Sequence, residues 1–191
     1  MELIFATSNK HKLSEAKGII GNQISLVSPE SLGIFDSIPE DEPTLEGNAL
    51  FKARYLWQIN KMNVFADDTG LEVEALNGSP GVKSARYASE ECDAGLNMQK
   101  LLKELNGVKN RKARFRTVIA LILDGREYLF EGIVNGTILE NKSGTGGFGY
   151  DPLFLPDGYT KTLAELTFEE KNLISHRGLA LRKLAEFLKT I

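Results

Sequence analysis

The sequence predicts a mixed fold of the α/β or α+β class, with a long mixed central β-sheet and flanking helices. Strand and helix signals alternate along the chain, which is typical of this class. An apolar strand at Phe115–Leu123 leads through Asp124-Gly125, a good hairpin turn, into a returning strand at Tyr128–Val134. Such a hairpin among helices favours a mixed sheet over a purely parallel one. With 191 residues, 42% of them hydrophobic, the chain can form one compact domain or at most two small lobes.

The N-terminal region predicts a strand, a helix and a second strand. Leu3–Ala6 is a short apolar run that fits a buried strand. Leu13, Ala16 and Ile20 then recur at helical spacing, so they predict one buried helix face. A second strand is predicted at Ile24–Val27.

The middle of the chain predicts a helix followed by two short strands. The first strand, Val64–Ala66, is expected to end in Asp67-Asp68-Thr69-Gly70, and the second to occupy Leu71–Val73. The helix before them is predicted from apolar residues at i, i+4, i+7 and i+8. This core stripe consists of Ala49, Ala53, Leu56 and Trp57.

The C-terminal half predicts two further helices. Ala94–Leu105 is a helix candidate, and Thr167-x-x-Glu170 is a capping box that marks a helix start. The last helix is expected to bury a set of apolar side chains. They are Ala180, Leu184, Phe187, Leu188 and Ile191.

The composition excludes several classes of protein. Lys plus Arg is 23 and Asp plus Glu is 26, and this net charge of −3 gives no basic surface for nucleic acid. One Cys and two His leave no disulfide framework and no structural zinc site. The longest apolar run, Val118–Leu123, is far shorter than the roughly 20 residues of a membrane span. Without a basic region before the first apolar run, we expect a cytoplasmic protein without a signal peptide.

The segment Thr7-Ser8-Asn9-Lys10-His11-Lys12 lies between the first strand and the first helix. Backbone N–H groups and the helix dipole make a helix N-terminus suited to anions, and Lys12 adds a positive charge. The alternative is an ordinary N-cap with solvated lysines.

Asp67-Asp68-Thr69-Gly70 places two adjacent carboxylates at the end of a buried strand. Burial is unfavourable for such a pair unless positive charge is nearby, and Mg²⁺ is a natural partner. Successive strand residues point to opposite faces, so the two carboxylates need not reach one ion. The alternative is an Asp-rich hairpin turn whose side chains cap their own backbone.

The acidic stretch Glu40-Asp41-Glu42, with Glu46 beyond it, offers further carboxylates. One of them is a candidate second metal ligand. The alternative is a solvated acidic loop, which is the more common role of such a stretch.

The segment Gly144–Pro152 formally contains G-x-G-x-x-G. A dinucleotide site needs a helix to open at its end, but Tyr150-Asp151-Pro152 follows, and a residue before proline avoids the helical region. We therefore interpret the segment as a loop that presents Phe148 and Tyr150 beside Asp151. Its aromatic rings suit stacking on a base; alternatively, they belong to the core.

Ser175-His176-Arg177-Gly178, preceded by Lys171, is a cationic segment. Arginine grips phosphate or carbonyl oxygens with two donors, and histidine both donates and accepts. The alternative is a basic surface turn.

Cys92 lies between Glu91 and Asp93, whose charges raise a thiol pKa, so we do not propose it as a nucleophile. Taken together, the five segments supply what is needed to hold a metal-bound nucleoside triphosphate.

Six motifs in order resemble one known family over nearly the whole chain. They are Thr7-x-Asn9-x-x-Lys12, Asn48-Ala49-x-x-Lys52-Ala53, Ala66-Asp67-Asp68-Thr69-Gly70-Leu71, Gly78-x-Pro80-Gly81-Val82-x-Ser84-Ala85-Arg86-Tyr87, Gly144–Pro152 and Ser175-His176-Arg177-Gly178. The family is that of the inosine/xanthosine triphosphate pyrophosphatases, which clear non-canonical purine nucleotides. The resemblance implies cleavage between the α and β phosphates, Mg²⁺ as cofactor and a homodimer. It also implies a long mixed sheet between two lobes, with the nucleotide in the cleft.

The resemblance also implies roles for individual residues. Asp68 matches the metal ligand and water-activating base, Glu40 matches a second metal carboxylate, and Lys52 matches a phosphate-facing lysine. The phosphates are assigned to Thr7, Ser8, Asn9, Lys10, His11 and Lys12. Other substrate contacts match Thr69, Phe148, Gly149, Tyr150, Asp151, Lys171, His176 and Arg177.

One position departs from the family pattern. The family often has Glu immediately before the Asn-Ala of its second helix, whereas this chain has Gly47 there and Glu46 one place earlier. The choice of Glu40 over a neighbouring acid as second metal ligand therefore stays open. Two other functions also stay open: a nucleotide sensor that binds without hydrolysis, and a pyrophosphatase for pyrimidine or modified-base nucleotides.

Overall fold

Alternating strands and helices run through a computed structural model that describes residues 1–21, 24–35 and 38–191. The strands are β1 (Glu2–Phe5), β2 (Ser25–Val27), β3 (Val64–Val73), β4 (Pro80–Gly81), β5 (Lys112–Leu123), β6 (Arg126–Ile138) and β7 (Phe154–Pro156). The α-helices are α1 (Lys10–Ile20), α2 (Leu45–Asn60), α3 (Ala94–Glu104), α4 (Phe168–Ile174) and α5 (His176–Leu188). No helix in these residues is long and apolar enough to cross a membrane.

The seven strands form one mixed sheet, which confirms the predicted fold class. Their order is β2-β1-β3-β5-β6-β7, with β4 paired to β3. β1 runs parallel to both neighbours, with Leu3 opposite Leu26 and Ile4 opposite Val64. β4 is antiparallel to β3, and β7 is antiparallel to β6.

The central hairpin has longer strands than the sequence predicts. The turn is at Asp124 and Gly125 as expected, and both residues have positive φ, of 49° and 78°. β5 begins at Lys112 instead of Phe115, because Ala113 and Phe115 alternate with exposed neighbours and extend the strand towards its N-terminus. β6 likewise continues beyond Val134 to Ile138.

The chain is divided into two compact units. The first comprises residues 1–68, 117–132 and 177–191, and the second comprises residues 69–116 and 133–176. Each unit has its own hydrophobic core.

In the first unit, strands β1, β3 and β5 pack against α1 and α5. Phe5 and Phe65 stack with ring centroids 4.3 Å apart. Ala16 and Ile20 are buried against this cluster, and Leu13 is partly buried, which confirms the predicted face of α1.

The predicted core face of the last helix is mostly confirmed and wrong at its end. Ala180, Leu184 and Leu188 are buried, and Phe187 is partly buried. Ile191 is 65% exposed. The helix ends at Leu188, so the helical spacing that placed Ile191 on the buried face no longer applies.

The predicted break between two short strands at Asp67–Gly70 is wrong, and so is the alternative of an Asp-rich hairpin turn, because β3 runs without a break from Val64 to Val73. A turn of this kind needs Asp side chains that bond their own backbone. Instead, Asp67 bonds Lys12 and Arg177, and Asp68 bonds Asn48. The strand therefore continues through both carboxylates.

In the second unit, α3 packs against β3, β5 and the segment around β7. Phe115 and Phe154 lie 4.7 Å apart between ring centroids. Asp93 caps α3 by accepting from the backbone N–H of Leu96. The capping box predicted at Thr167 and Glu170 is present at the start of α4.

Candidate active site

The segment between β1 and α1 forms a capped helix start. Asn9 Oδ1 accepts from the backbone N–H groups of His11 at 2.9 Å and Lys12 at 3.3 Å. Thr7 Oγ1 accepts from Asn9 N–H at 3.1 Å. Ser8, Lys10 and His11 are exposed, whereas Lys12 is half-buried and its ammonium group is paired. The N-cap is therefore present, but Lys12 is not a solvated lysine.

Asp67 is a buried carboxylate held by two cations. Lys12 Nζ donates to Oδ1 at 2.9 Å and Arg177 Nε donates to Oδ2 at 3.0 Å. Arg177 also donates to Glu15 Oε2 at 2.7 Å. Burial alone would raise the pKa of Asp67, but Lys12, Arg177 and Lys52 together lower it below its usual range. Asp67 is thus an ionised centre that fixes the two cations.

Asp68 points to the other face of β3 and has a different environment. Its Oδ2 accepts from Asn48 Nδ2 at 2.9 Å, and Asn48 is buried on α2. Burial raises the pKa of Asp68 above its usual value, although Lys52 and the Asn48 hydrogen bond act in the opposite direction. A carboxyl group with a raised pKa takes up a proton more readily than an ordinary aspartate does.

Lys52 lies one helical turn after Asn48 and contacts both the acidic segment and β3. Its ammonium group pairs with the carboxylate of Glu40 and donates to the backbone oxygen of Asp67 at 2.7 Å. Burial would lower the pKa of Lys52, but Glu40, Asp68 and Asp67 raise it above the usual value. Burial similarly disfavours the charge on Glu40, and Lys52 more than offsets this, so the pKa of Glu40 is lowered. Lys52 and Glu40 are therefore charged partners.

The second unit contains a separate charged cluster. Lys171 Nζ donates to Asp151 Oδ2 at 2.9 Å, and both residues are buried. The same Asp151 oxygen accepts from Phe148 N–H at 2.9 Å, and Lys171 Nζ lies 4.5 Å from the centroid of the Phe148 ring. A Cβ at Gly147 would lie 2.1 Å from Asp151 Oδ2, so only glycine allows this approach.

The two aromatic residues of the glycine-rich loop differ. Tyr150 belongs to the core, and its hydroxyl donates to the backbone oxygen of Ser84 at 2.8 Å. Phe148 is half-buried, with Lys171 over its ring. The core alternative thus describes Tyr150 and does not describe Phe148.

The remaining predicted contacts have varied surroundings in the second unit. His176 is buried and stacks on Phe115 with ring centroids 4.5 Å apart. Thr69 is a half-buried residue of β3, and Gly149 is half-buried with φ 62°. Because His176 and Arg177 are buried, the alternative of a basic surface turn is wrong.

A family model described as the Ham1 family matches residues 3–187. The chain belongs to the Ham1 family. It is 52% identical over 188 residues to the dITP/XTP pyrophosphatase of Flavobacterium johnsoniae, with 98% of each chain covered. It is 50% identical over 192 residues to the dITP/XTP pyrophosphatase of Caldanaerobacter subterraneus subsp. tengcongensis, with 98% of this chain and 96% of the relative covered.

Solved structures of Ham1 proteins share the fold. The Ham1 protein of Staphylococcus aureus superposes with a TM-score of 0.91 at 38% identity, covering 100% of this chain and 99% of the other. A HAM1 protein from Coxiella burnetii superposes with a TM-score of 0.92 at 35% identity, and both chains are fully covered. The mixed sheet and helices described above are thus the fold of this family.

In this Ham1 chain, Gly47 leaves space that Glu42 fills. A Cβ at Gly47 would lie 2.8 Å from Glu42 Cβ and 3.2 Å from Glu42 Oε2. The two positions therefore compete for the same space at the start of α2. Because residue 47 has no side chain, the side chain of Glu42 can lie against this turn of the helix.

The carboxylates of this Ham1 chain suit a cation that also binds substrate oxygens. Within residues 1–21, 24–35 and 38–191, no group of three or more His, Cys, Asp and Glu side chains is arranged to hold a metal. Mg²⁺ often takes one or two carboxylates together with phosphate oxygens. Asp68 and Glu40, next to Asn48 and Lys52 on one buried face of α2, fit that ligand set. Asp67 fits it poorly, because each of its oxygens accepts from a cation.

The predicted site residues form two separate clusters, one within each unit. Lys12, Lys52, Glu40, Asp68 and Arg177 belong to one hydrogen-bonded or charged cluster in the first unit. Phe148, Asp151 and Lys171 form another in the second unit. Sequence reasoning gave no role to two buried polar residues in these surroundings, Glu15 and Asn48. Asn48 had one available signal, its place four residues before Lys52 on the same helix face.

Proposed function

We propose that this protein hydrolyses non-canonical purine nucleoside triphosphates, namely ITP, dITP and XTP, at the α–β phosphate bond. The products are the nucleoside monophosphate and pyrophosphate, and the reaction cleanses the nucleotide pool. The observation that carries the proposal is the match, over nearly the full chain, to relatives named dITP/XTP pyrophosphatase at 50% identity and above. The charged cluster of the first unit supplies the groups that this reaction needs.

Lys12 and Lys52 are the proposed phosphate-binding cations. Lys12 is half-buried, with its side chain 17% exposed, and its ammonium group donates to the buried carboxylate of Asp67. An ammonium group has three donors, and one bond to Asp67 does not exhaust them. Positive charge here would neutralise the departing pyrophosphate, which is the main demand of phosphoryl chemistry. The segment from Thr7 to His11 is proposed to supply the further phosphate contacts.

Asp68 is the proposed catalytic residue. It would orient the attacking water and take up its proton, and its raised pKa favours this transfer. Attack by water at phosphorus breaks the α–β anhydride bond directly. The proposal therefore requires no covalent intermediate.

Asp68 and Glu40 are the proposed ligands of Mg²⁺. When bound, the ion would supply charge neutralisation and polarisation of the phosphate oxygens. Lys52 would hold Glu40 in place through their ion pair. Asn48 would hold Asp68 in place through its side-chain amide.

Base recognition is proposed for the second unit. The ring of Phe148, with Lys171 above it, offers a face for a purine. Inosine and xanthosine carry an oxygen at position 6 where adenine carries an amine, so donors from His176 and the backbone near Tyr150 would favour them. Asp151, Gly149 and Thr69 are the remaining proposed contacts. The predicted contact of Arg177 with substrate stays a prediction, since its guanidinium group engages Asp67 and Glu15.

The proposed setting is a cytoplasmic homodimer that acts on free nucleotides, without nucleic acid or membrane. Size measurement in solution tests the dimer. A mass near twice 21.1 kDa is expected. A mass that stays at one chain over a range of protein concentrations would contradict this part of the proposal.

The decisive experiment is a pyrophosphate-release assay with a substrate panel. With Mg²⁺, we expect ITP, dITP and XTP to yield monophosphate and pyrophosphate, with much slower turnover of ATP, GTP and pyrimidine triphosphates. Binding of dITP without pyrophosphate release would favour the nucleotide sensor. Faster turnover of a pyrimidine or modified-base nucleotide would favour the other pyrophosphatase. EDTA should abolish activity, and full activity in EDTA would remove Mg²⁺ from the proposal.

A further inference from the structure

Asn48 joins two segments of the first unit through one side-chain amide. Its Oδ1 accepts from the backbone N–H of Glu42 at 2.9 Å, and its Nδ2 donates to Asp68 Oδ2 at 2.9 Å. A backbone N–H needs an acceptor and a carboxylate needs a donor, so only one orientation of the amide satisfies both. Asn48 is 1% exposed, which excludes exchange of either bond for bulk water.

The helix that carries Asn48 is fixed at its start. Thr44 caps α2 by accepting from Gly47 N–H at 3.0 Å, and Asn48 N–H donates to the backbone oxygen of Thr44 at 3.1 Å. The amide therefore projects from a capped first turn, which is more rigid than a loop. Lys52 follows one turn later on the same face and pairs with Glu40.

One bond of Asn48 is made to a proposed metal carboxylate, and the other is made to the backbone of the segment that carries the second. The bond to Asp68 Oδ2 sets the rotation of that carboxylate and hence the place of its other oxygen. The bond to Glu42 N–H holds the backbone two residues after Glu40. Asn48 thus holds the Asp68 carboxylate, and Lys52 holds the Glu40 carboxylate from the same helix face.

We infer that Asn48 is a positioning residue for hydrolysis: it sets Asp68 and the Glu40 segment in the geometry that the reaction needs. This inference rests on the proposed function. Misplacement of a reacting group by about 1 Å costs about 10²-fold in rate. The ammonium groups of Lys12 and Lys52 bond Asp67 and Glu40, so we expect phosphate binding to survive the loss of the Asn48 amide. Loss of the amide therefore lowers kcat and leaves KM nearly unchanged.

Asn97 provides a matched control in the second unit. It is also a buried asparagine that bridges two groups: Oδ1 accepts from Ala88 N–H at 2.7 Å, and Nδ2 donates to the backbone oxygen of Ala85 at 2.7 Å. Asn97→Asp removes the same donor and keeps the same acceptor. It therefore reports what the loss of a buried amide donor does to the fold in general.

The test compares wild type, Asn48→Asp and Asn97→Asp with dITP and Mg²⁺, alongside calorimetric binding of a dITP analogue with a non-hydrolysable α–β linkage. We expect kcat to fall about 10²-fold in Asn48→Asp, with KM and analogue affinity within about threefold of wild type. Asn97→Asp should keep kcat within about threefold. An equal fall of kcat in both variants overturns the inference. A rise in KM without a fall in kcat for Asn48→Asp overturns it as well. A wild-type protein that releases no pyrophosphate from dITP instead overturns the proposed function.

A second variant covers the case in which Asn48→Asp does not fold. Asn48→Asp combined with Asp68→Asn reverses donor and acceptor and restores the hydrogen bond between the two side chains. We expect its thermal midpoint to return close to that of Asp68→Asn alone. A double variant as unstable as Asn48→Asp would show that the contact does not link the two side chains. Asn48→Ser, which leaves a small hydroxyl at this position, then gives the kcat and KM comparison.

Discussion

The ammonium group of Lys52 donates to the backbone oxygen of Asp67 at 2.7 Å, so a buried cation on α2 is bound to the strand that carries both adjacent aspartates. This bond does not depend on ionisation of either aspartate side chain. It leaves the Asp67 carboxylate to Lys12 and Arg177, and the Asp68 carboxylate to Asn48. The two aspartates, alike in sequence, consequently have opposite pKa shifts and separate roles.

Asp68→Asn should leave nucleotide binding nearly intact and reduce kcat by about 10²–10⁴-fold, because the amide cannot accept the proton of water. The amide can still accept from Asn48, so the fold should persist. Pyrophosphate release and calorimetric binding of the non-hydrolysable analogue measure the two effects. Asp93→Asn is the control, since asparagine also caps a helix, here α3. Near-normal turnover in Asp68→Asn would remove Asp68 from the mechanism.

Lys12→Ala should mainly weaken triphosphate binding, because it removes the ammonium group that pairs with Asp67 and is proposed to bind the phosphates. We expect KM for dITP to rise by about 10-fold or more, as for the loss of a hydrogen bond to a charged group. Lys17→Ala is the control, since Lys17 is an exposed lysine in the last turn of the same helix. Unchanged KM and unchanged kcat in Lys12→Ala would contradict the phosphate role.

Arg177→Met should destabilise the protein strongly. It leaves Asp67 and Glu15 buried without their guanidinium partner, and breaking a buried pair in this way costs roughly 3–5 kcal/mol. Arg54→Met, which breaks the exposed pair with Glu127, should cost below about 1 kcal/mol. Urea unfolding measures both free energies. Equal losses in the two variants would show that burial of the Arg177 pair does not determine its contribution.

Arg177 also shows where the sequence alone was insufficient. Local patterns predicted α1, α2, α3, the central hairpin and the capping box of α4, because each depends on residues a few positions apart. They missed the continuous strand β3. Arg177, which donates a hydrogen bond to the Asp67 carboxylate, lies 110 positions away in the chain, so no local pattern shows that this carboxylate is paired within a strand. Burial of Tyr150 in the core had no local signal either, since a glycine-rich loop does not reveal which ring packs inward. Residue chemistry singled out the five candidate segments, and the resemblance supplied the roles of their individual residues. The links that Asn48 and Glu15 form needed the three-dimensional structure.

The acid stability of the protein should depend on Asp67. Its pKa is lower in the folded chain than the unfolded value of about 3.9. Ionised Asp67 therefore stabilises the fold above about pH 3.9, and this contribution is lost as the pH falls towards the folded pKa. Urea midpoints between pH 3 and pH 7 should fall with acid less steeply in Asp67→Asn than in wild type. If the urea midpoint changed with pH equally in both proteins, the partners of Asp67 would not lower its pKa in the folded chain.

Phe148→Ala tests whether the half-buried ring stacks on a purine. Loss of a stacking face is worth about 1–3 kcal/mol, so KM for ITP and dITP should rise by about 5–150-fold while kcat changes less. The contact with Lys171 is lost as well, but Lys171 keeps its bond to Asp151. Phe168→Ala, an exposed phenylalanine at the start of α4, should leave both constants unchanged. Unaltered kinetics on purine substrates in Phe148→Ala would instead assign this ring to packing around Lys171.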